Sequence, residues 1–242
     1  MRERLPDNSV DLILTDPPYG TLPSKKNSWD VIIPVKEMFT EFNRVLKEYG
    51  TIVLFSKQPF TSKLVMGNYD NFKYSLVWKK NRVSDFVFAP YKIMCEHEDL
   101  LVFSKAGFAG RSRHKMTYNP QDTMKCTKKQ FARKGNSYCT NIKSQPGWVQ
   151  TTTNYPRSVL EFKSIYGRFH PAQKPLDLVT YLVKTFSNEG DTILDACTGS
   201  GTTAVACLES GNRKFIGFET NKKYYDYSLQ RVASYTKTGS SV

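Results

Sequence analysis

The chain has 242 residues, 39% of them hydrophobic and 24% charged, with 35 Lys and Arg against 22 Asp and Glu for a net charge of +13. It contains no apolar run of the roughly 18 residues that a membrane helix needs, and no apolar signal sequence follows Met1, so neither a membrane span nor export is expected. The five cysteines (95, 126, 139, 197 and 207) are odd in number, form no CxxC pair and, with His97, match no common zinc-finger spacing, which points to a reduced, cytoplasmic protein without a bound metal.

In chain order, Pro6-Asp7-Asn8-Ser9 is turn-like and leads into the apolar run Val10 to Leu14, a buried strand. The run stops at Asp16-Pro17-Pro18-Tyr19. Proline cannot donate to a sheet ladder and fixes its own φ, so Pro17 and Pro18 end the strand and stiffen the turn. Asp16 and Tyr19 are thereby held at the carboxyl end of a strand, where open α/β sheets bind ligands. Gly20 to Asp30 is a polar loop beside this turn, whose Lys25 and Lys26 read as exposed loop lysines that could meet a phosphate.

Val35, Met38, Phe39, Phe42, Val45 and Leu46 follow helical spacing, with Gly50 expected to close the helix and Thr51 to Phe55 to form the next strand. Strand, helix, strand in this order predicts a right-handed parallel crossover. A second helix is predicted from Pro59 to Asn68, then strands over Phe72 to Trp78 and Leu100 to Phe103. Trp78 is assigned to the core, and Lys79 is a candidate for the cleft.

The positive charge is unevenly placed. Between Lys105 and Lys174 there are 14 Lys and Arg against two acids, Asp122 and Glu161, while the rest of the chain is almost balanced. Such a concentration favours a polyanionic partner and salt-dependent binding. Over Lys105 to Gln150 hydrophobic periodicity fails, and Phe108, Tyr118, Phe131, Tyr138 and Trp148 are scattered among basic and polar residues. We read 105–165 as a basic, loop-rich insertion that contacts nucleic acid through Arg111, Arg113, Lys115, Lys128, Lys129, Arg133 and Lys134.

Beyond it, Pro175 to Phe186 is an amphipathic helix and Thr192 to Ala196 a strand. A Gly-rich turn, a helix from Thr202 to Ser210, a strand from Lys214 to Glu219 and a Tyr-rich helix from Asn221 to Ser234 follow; Thr236 to Val242 is expected to fray. Asp195-Ala-Cys-Thr198-Gly199-Ser200-Gly201-Thr202-Thr203 occupies the strand-to-helix turn that a nucleotide-type cofactor loop requires. It is neither a Walker loop, since no Gly-Lys-Ser/Thr follows, nor a strict GxGxxG, since Ala204 stands at the last glycine. Glu219, at the end of the next strand, suits a carboxylate that accepts from both ribose hydroxyls.

Three motifs together carry a resemblance. Asp16-Pro-Pro-Tyr19, His170-Pro-Ala-Gln-Lys174-Pro175 and the Gly-rich loop with Glu219 resemble, in this order, the amino-group DNA methyltransferases of the beta-type motif arrangement, over Pro6 to Val232. The resemblance implies transfer of a methyl group from S-adenosylmethionine to an exocyclic amino nitrogen in double-stranded DNA. That nitrogen is a poor nucleophile because its lone pair is delocalised into the ring. The Asp16 carboxylate and the Pro17 carbonyl would draw its hydrogens and localise the pair, Pro18 would keep the turn rigid, and Tyr19 would stack on the flipped base. Asp195 and Thr198 to Thr203 are assigned to the methionine end of the cofactor, Glu219 to its ribose, and Lys174 with Pro175 to its pocket.

The Asp form of the tetrapeptide is more typical of adenine enzymes, so N6-adenine is the expected target and N4-cytosine the alternative; a nucleic-acid-binding module without catalysis is the alternative of another class. The implied fold is α/β, a doubly wound, mostly parallel Rossmann-like methyltransferase sheet. Its catalytic half would be 1–104 and its cofactor-binding half 166–242. Relatives often dimerise and serve restriction-modification, which makes a homodimer and a cognate restriction enzyme candidate partners. They usually carry a further strand before the catalytic one, so a shortened amino end is expected, and they commonly have Phe or Met where Cys197-Thr198 stands.

Overall fold

The structure is a computed structural model that describes residues 4–21, 30–107, 112, 114–130, 148–165, 170 and 172–239. Two compact units are present, Met1–Asn119 with Ser158–Val242, and Pro120–Arg157. The larger unit begins with β1 (Val10–Thr15), α1 (Val35–Val45), β2 (Leu46–Ser56), α2 (Phe60–Gly67), β3 (Phe72–Ser84) and β4 (Cys95–Phe103). After the smaller unit it resumes with β7 (Val159–Glu161), α3 (Leu176–Phe186), β8 (Thr192–Asp195), α4 (Thr202–Glu209), β9 (Lys214–Gly217) and α5 (Lys222–Gly239). The smaller unit is an antiparallel pair, β5 (Met124–Gln130) with β6 (Trp148–Thr153).

The seven strands of the larger unit lie in the order β7-β3-β4-β2-β1-β8-β9. Neighbours are parallel except that β4 runs against both β2 and β3. This is the doubly wound, mostly parallel α/β sheet expected. Central strands covered on both sides should carry apolar runs, and they do: Leu12, Ile13 and Leu14 of β1 and Ile52 to Phe55 of β2 are all buried. Successive side chains alternate between faces. Leu12, Leu14, Val53 and Phe55 pack with Leu178, Leu182 and Phe186 of α3 and Ala206 of α4. Ile13, Ile52 and Leu54 pack with Phe39 and Phe42 of α1 and Leu64 of α2. Among the described residues, no helix is long and apolar enough to cross a membrane.

Gly50 does not close the first helix. That helix ends at Val45, Leu46 turns extended (φ −72°, ψ 129°), and β2 starts there, pairing with Val10 before a register shift. The irregular stretch is secured by side chains: Lys105 Nζ donates to the Leu46 carbonyl (2.8 Å), Ser104 Oγ to the Gly50 carbonyl (2.7 Å), and Lys47 Nζ pairs with Asp11 (2.8 Å). Glycine at 50 answers a packing constraint instead, because an added Cβ would stand 2.7 Å from Leu46 Cδ1 and 2.9 Å from the Asp11 carbonyl oxygen.

Other boundaries also moved. β3 and β4 extend to Ser84 and from Cys95, beyond the apolar runs, because their polar ends pair with each other. The pair β5–β6 lies in the segment where periodicity failed, and α5 continues past Ser234 to Gly239. Trp78 is buried, as expected, and its Nε1 donates to the Phe162 carbonyl at 2.9 Å.

Gly50→Ala is expected to lower unfolding stability by about 1–3 kcal/mol through overpacking, since a backbone oxygen cannot swing aside. Urea denaturation measures it, and an unchanged midpoint would show that β2 shifts to admit the methyl group.

Candidate active site

Asp16 follows the last residue of β1, so its side chain emerges at the carboxyl edge of the sheet. The Tyr19 hydroxyl donates to Asp16 Oδ1 (2.7 Å), and Lys174 Nζ binds Asp16 Oδ2 (2.7 Å). Lys174 also reaches Glu98 Oε2 on β4 (3.0 Å), whose Oε1 accepts from Lys80 of β3. Lys174 Nζ lies 5.0 Å from the centre of the Phe55 ring and 5.8 Å from that of Tyr19. The Tyr19 ring is 5.8 Å from Phe60. Asp30 fixes the following turn by accepting from the backbone N–H groups of Gly20 (2.9 Å) and Thr21 (2.8 Å).

Burial dominates the titration of this cluster. It pushes the Asp16 carboxyl up, Lys174 pulls it back, and Glu98 adds to the rise. The Tyr19 phenol is raised well above its ordinary value by burial and then by Asp16. For Glu98 burial acts upward, but Lys174 and Lys80 together carry its carboxyl below the usual range. Lys174 ends above the ordinary ammonium value, because Asp16 and Glu98 outweigh its own desolvation.

The Gly-rich turn stands beside this cluster because β8 pairs directly with β1, Leu12 opposite Ile193 and Ile13 opposite Leu194. Asp195 ends β8 and is buried, with Oδ2 accepting from Thr203 Oγ1 (2.7 Å) and Oδ1 from the Cys197 N–H (3.1 Å). Burial pushes its carboxyl up to about 6. Gly199 and Gly201 have φ of +51° and +74°, a region that favours glycine, and a Cβ on Gly201 would stand 2.9 Å from Ser228 Cβ. Glu219 accepts from the Gly199 N–H and from the Asn221 N–H, both at 2.8 Å. Arg231 of α5 braces the turn through the Ser200 carbonyl (3.1 Å) and Thr202 Oγ1 (2.9 Å). His170 packs on Tyr224 with ring centres 4.4 Å apart and faces Gly199.

The predicted residues thus fall into two adjoining groups, Asp16 to Tyr19 with Lys174, and Asp195 with Thr198 to Thr203 and Glu219. Pro175 precedes the first residue of α3. Lys79 does not face the cleft: it pairs with Glu161 at 3.1 Å, and its neighbour Lys80, on the other face of the pleat, joins the cluster. Glu98, Lys80 and Arg231 were missed. Each is a single charge on an ordinary strand or helix, and no spacing sets it apart. Among the basic candidates, Lys115 and Lys128 are exposed. Arg111, Arg113, Arg133, Lys134 and the Lys129 side chain lie outside the described residues, as do Lys25, Lys26 and Pro171.

A family model described as DNA methylase, for N6 and N4 methyltransferases, matches residues 10–230. The type II methyltransferase M.HpaI of Haemophilus parainfluenzae is 29% identical over 96% of this chain and 71% of its own length. The DNA adenine methyltransferase YhdJ of Escherichia coli (strain K12) is 26% identical over 95% of this chain and 78% of its own. Among solved structures, an M1.HpyAVI–SAM complex superposes with a TM-score of 0.61 at 23% identity, covering 95% of this chain and 91% of that one. The cytosine-N4-specific PvuII DNA methyltransferase gives 0.62 at 16% identity, covering 97% and 87%.

The raised Asp195 carboxyl has a consequence for stability. In the unfolded chain it ionises near pH 4, and in the folded protein at about 6. Between these values the folded state holds the extra proton, so stability falls as pH rises and stays lowered above about 6. Relative to Asp195→Asn, the wild type is expected to lose up to about 3 kcal/mol between pH 4 and 7. Urea midpoints at the two pH values measure this, and parallel curves would show that Asp195 ionises normally.

Proposed function

The chain belongs to the DNA methylase family of N6 and N4 methyltransferases, and from that premise we propose that it methylates the exocyclic N6 of an adenine turned out of duplex DNA. The observation that carries this reading is the half-buried Asp16 carboxylate at the end of β1, with one oxygen on Lys174 and the other toward Tyr19. The catalytic residues in this reading are Asp16, Pro17 and Tyr19. An adenine stacked on Tyr19 would present its amino hydrogens to Asp16 and to the Pro17 carbonyl, whose direction the ring fixes. Polarised this way, the nitrogen lone pair would take the methyl group from the donor's sulfonium sulfur, whose bond to it breaks and which leaves as a neutral thioether. Asp16 is placed to receive the amino proton made acidic when the N–C bond forms. Turning the base out of the stack costs about a few kcal/mol, which contacts to the rest of the DNA must offset. The Asp form of the tetrapeptide and the similarity to the adenine enzyme YhdJ support adenine.

S-adenosylmethionine supplies the electrophilic methyl group. The chemistry of the second group of residues fits it. Asp195 is bonded by neutral donors, the Thr203 and Thr15 hydroxyls and the Cys197 N–H, and an ammonium would bring a positive charge to its buried carboxylate. Glu219 uses one site on each oxygen for backbone N–H groups, and a carboxylate has about four such sites, so two ribose hydroxyls can still be accepted. Gly199 and Gly201 supply the positive φ that this turn requires, at positions without a side chain. Pro175, entering α3, is assigned to the same pocket. Exposed Lys115 and Lys128 are assigned to DNA phosphates.

Mass spectrometry of nucleosides from DNA incubated with the protein and S-adenosylmethionine tests the reading. N6-methyladenine is expected; N4-methylcytosine would move the target to the other base, and no methylated base would defeat the proposal. Asp16→Ala should lower the methylation rate by about 100-fold or more while DNA binding survives, and retained activity would exclude Asp16 from the chemistry. Glu219→Ala should weaken S-adenosylmethionine binding by about 10- to 100-fold, the worth of hydrogen bonds to a charged acceptor. Unchanged affinity in calorimetry would remove Glu219 from the ribose.

A further inference from the structure

We infer that Glu98 and Lys174 form a buried positioning pair that aims the Asp16 carboxylate at the target amino group, with Lys80 steadying Glu98 from the far side. The inference deepens the methyltransferase reading and rests on it. It also gives Lys174 a task the sequence did not suggest, service to the tetrapeptide's carboxylate.

The cluster is a chain of alternating charge, Asp16, Lys174, Glu98, Lys80, that draws on four separate parts of the fold: the turn after β1, the segment before α3, and strands β4 and β3. Their side chains are 21%, 10%, 12% and 16% exposed in that order. Two acids and two ammonium groups balance, so no net charge is buried. Stability does not explain such a cluster, because apolar residues of similar volume often stabilise a core as well or better. Orientation does explain it.

Lys174 holds Oδ2 of Asp16, which leaves Oδ1 turned to the Tyr19 side, where the base would stack. Lys174 in turn cannot wander. Glu98 holds its ammonium at 3.0 Å, and the Phe55 and Tyr19 rings lie within cation–π distance. A carboxylate on a turn beyond a strand end has two free torsions, and two buried contacts remove them. Misplacement by about 1 Å at a reacting group can cost about 100-fold in rate.

Other charged or titratable groups bear on Asp16 as well: Tyr19 on its own turn, Asp195 at the end of β8, Cys197 just beyond it, and His170 before α3. Among the described residues, Lys174 is the cation that binds the carboxylate. Removing that charge therefore raises the pH at which Asp16 ionises.

The test uses the full chain, S-adenosylmethionine and a duplex DNA that the wild-type protein methylates, with single-turnover rates and both dissociation constants measured. Glu98→Gln and Lys174→Met are expected to slow methyl transfer by about 10- to 100-fold while both dissociation constants stay within about threefold. Lys174→Met should also move the acid limb of the rate profile to higher pH, whereas Lys174→Arg, which keeps the charge, should leave it in place and restore most of the rate. If Lys174→Met instead weakens cofactor binding with the saturated rate unchanged, Lys174 belongs to the cofactor and the proposal falls. An undiminished rate in Glu98→Gln overturns it too. Should either variant fail to fold by circular dichroism, Lys80→Met replaces it: a severalfold slower rate with unchanged binding supports the pair, and an unchanged rate overturns it. A wild-type protein that methylates no DNA defeats the underlying reading first, and that outcome is read before any variant is made.

Discussion

Parallel pairing between β1 and β8 is the contact on which the site depends. Leu12 and Ile13 lie opposite Ile193 and Leu194, so strands from opposite ends of the chain run side by side in the same direction. Because they are parallel, both carboxyl ends emerge at one edge of the sheet, and the acid that ends each strand follows it there. An antiparallel pairing would have sent Asp16 and Asp195 to opposite edges. A further bond ties the turn after β8 to the end of β1, the Cys197 N–H donating to Thr15 Oγ1 at 3.2 Å. Chain order therefore matters little to the chemistry. A motif near residue 16 and a loop near residue 199 become neighbours because a buried central position suits two apolar strands better than any other place in the sheet.

The two acids at that edge are treated differently. Asp16 has a lysine against it, and the lysine has a second acid, so the whole group can remain charged while largely withdrawn from water. Asp195 is bonded by a hydroxyl and a backbone N–H, and its carboxyl rises to about 6. One carboxylate is thus supplied with a permanent cation by the protein, and the other is left with neutral donors. That contrast suits a fixed hydrogen-bond acceptor in the first case and a site completed by a cationic ligand in the second.

Most of the architecture was legible in the sequence because apolar runs and glycines record burial and turns directly. Val10 to Leu14 is apolar since both faces of β1 are covered, and Gly199 and Gly201 are glycines since their φ values are positive. Gly50 misled for the same reason: a glycine after a helical pattern suggests a cap, yet this one is required by the nearness of Leu46, four residues back, and of the Asp11 carbonyl, which is distant in the chain. The polar ends of β3 and β4 were not legible, because they are stabilised by pairing with each other and not by burial. Glu98 and Lys80 were invisible for a related reason. A charge is expected at a surface, and only the assembled sheet brings each against an opposite charge from another element.

The hydrogen bond between Tyr19 and Asp16 bears on how the resting site avoids penalty. An acceptor withdrawn from water is costly when unpaired, and a site built to receive an amino group must stand without it for most of the time. The Tyr19 hydroxyl fills that place, donating to Oδ1 at 2.7 Å, and Lys174 occupies Oδ2. In the proposed reaction an arriving amino group takes Oδ1 as the ring of the same tyrosine becomes the surface on which the base stacks. One donor replaces another, and Asp16 is never left short. The exchange is selective, because a group with no hydrogen to donate would displace the hydroxyl and return nothing. In the proposed reaction an exocyclic amine would thus be favoured over a carbonyl edge by the resting hydrogen bond itself.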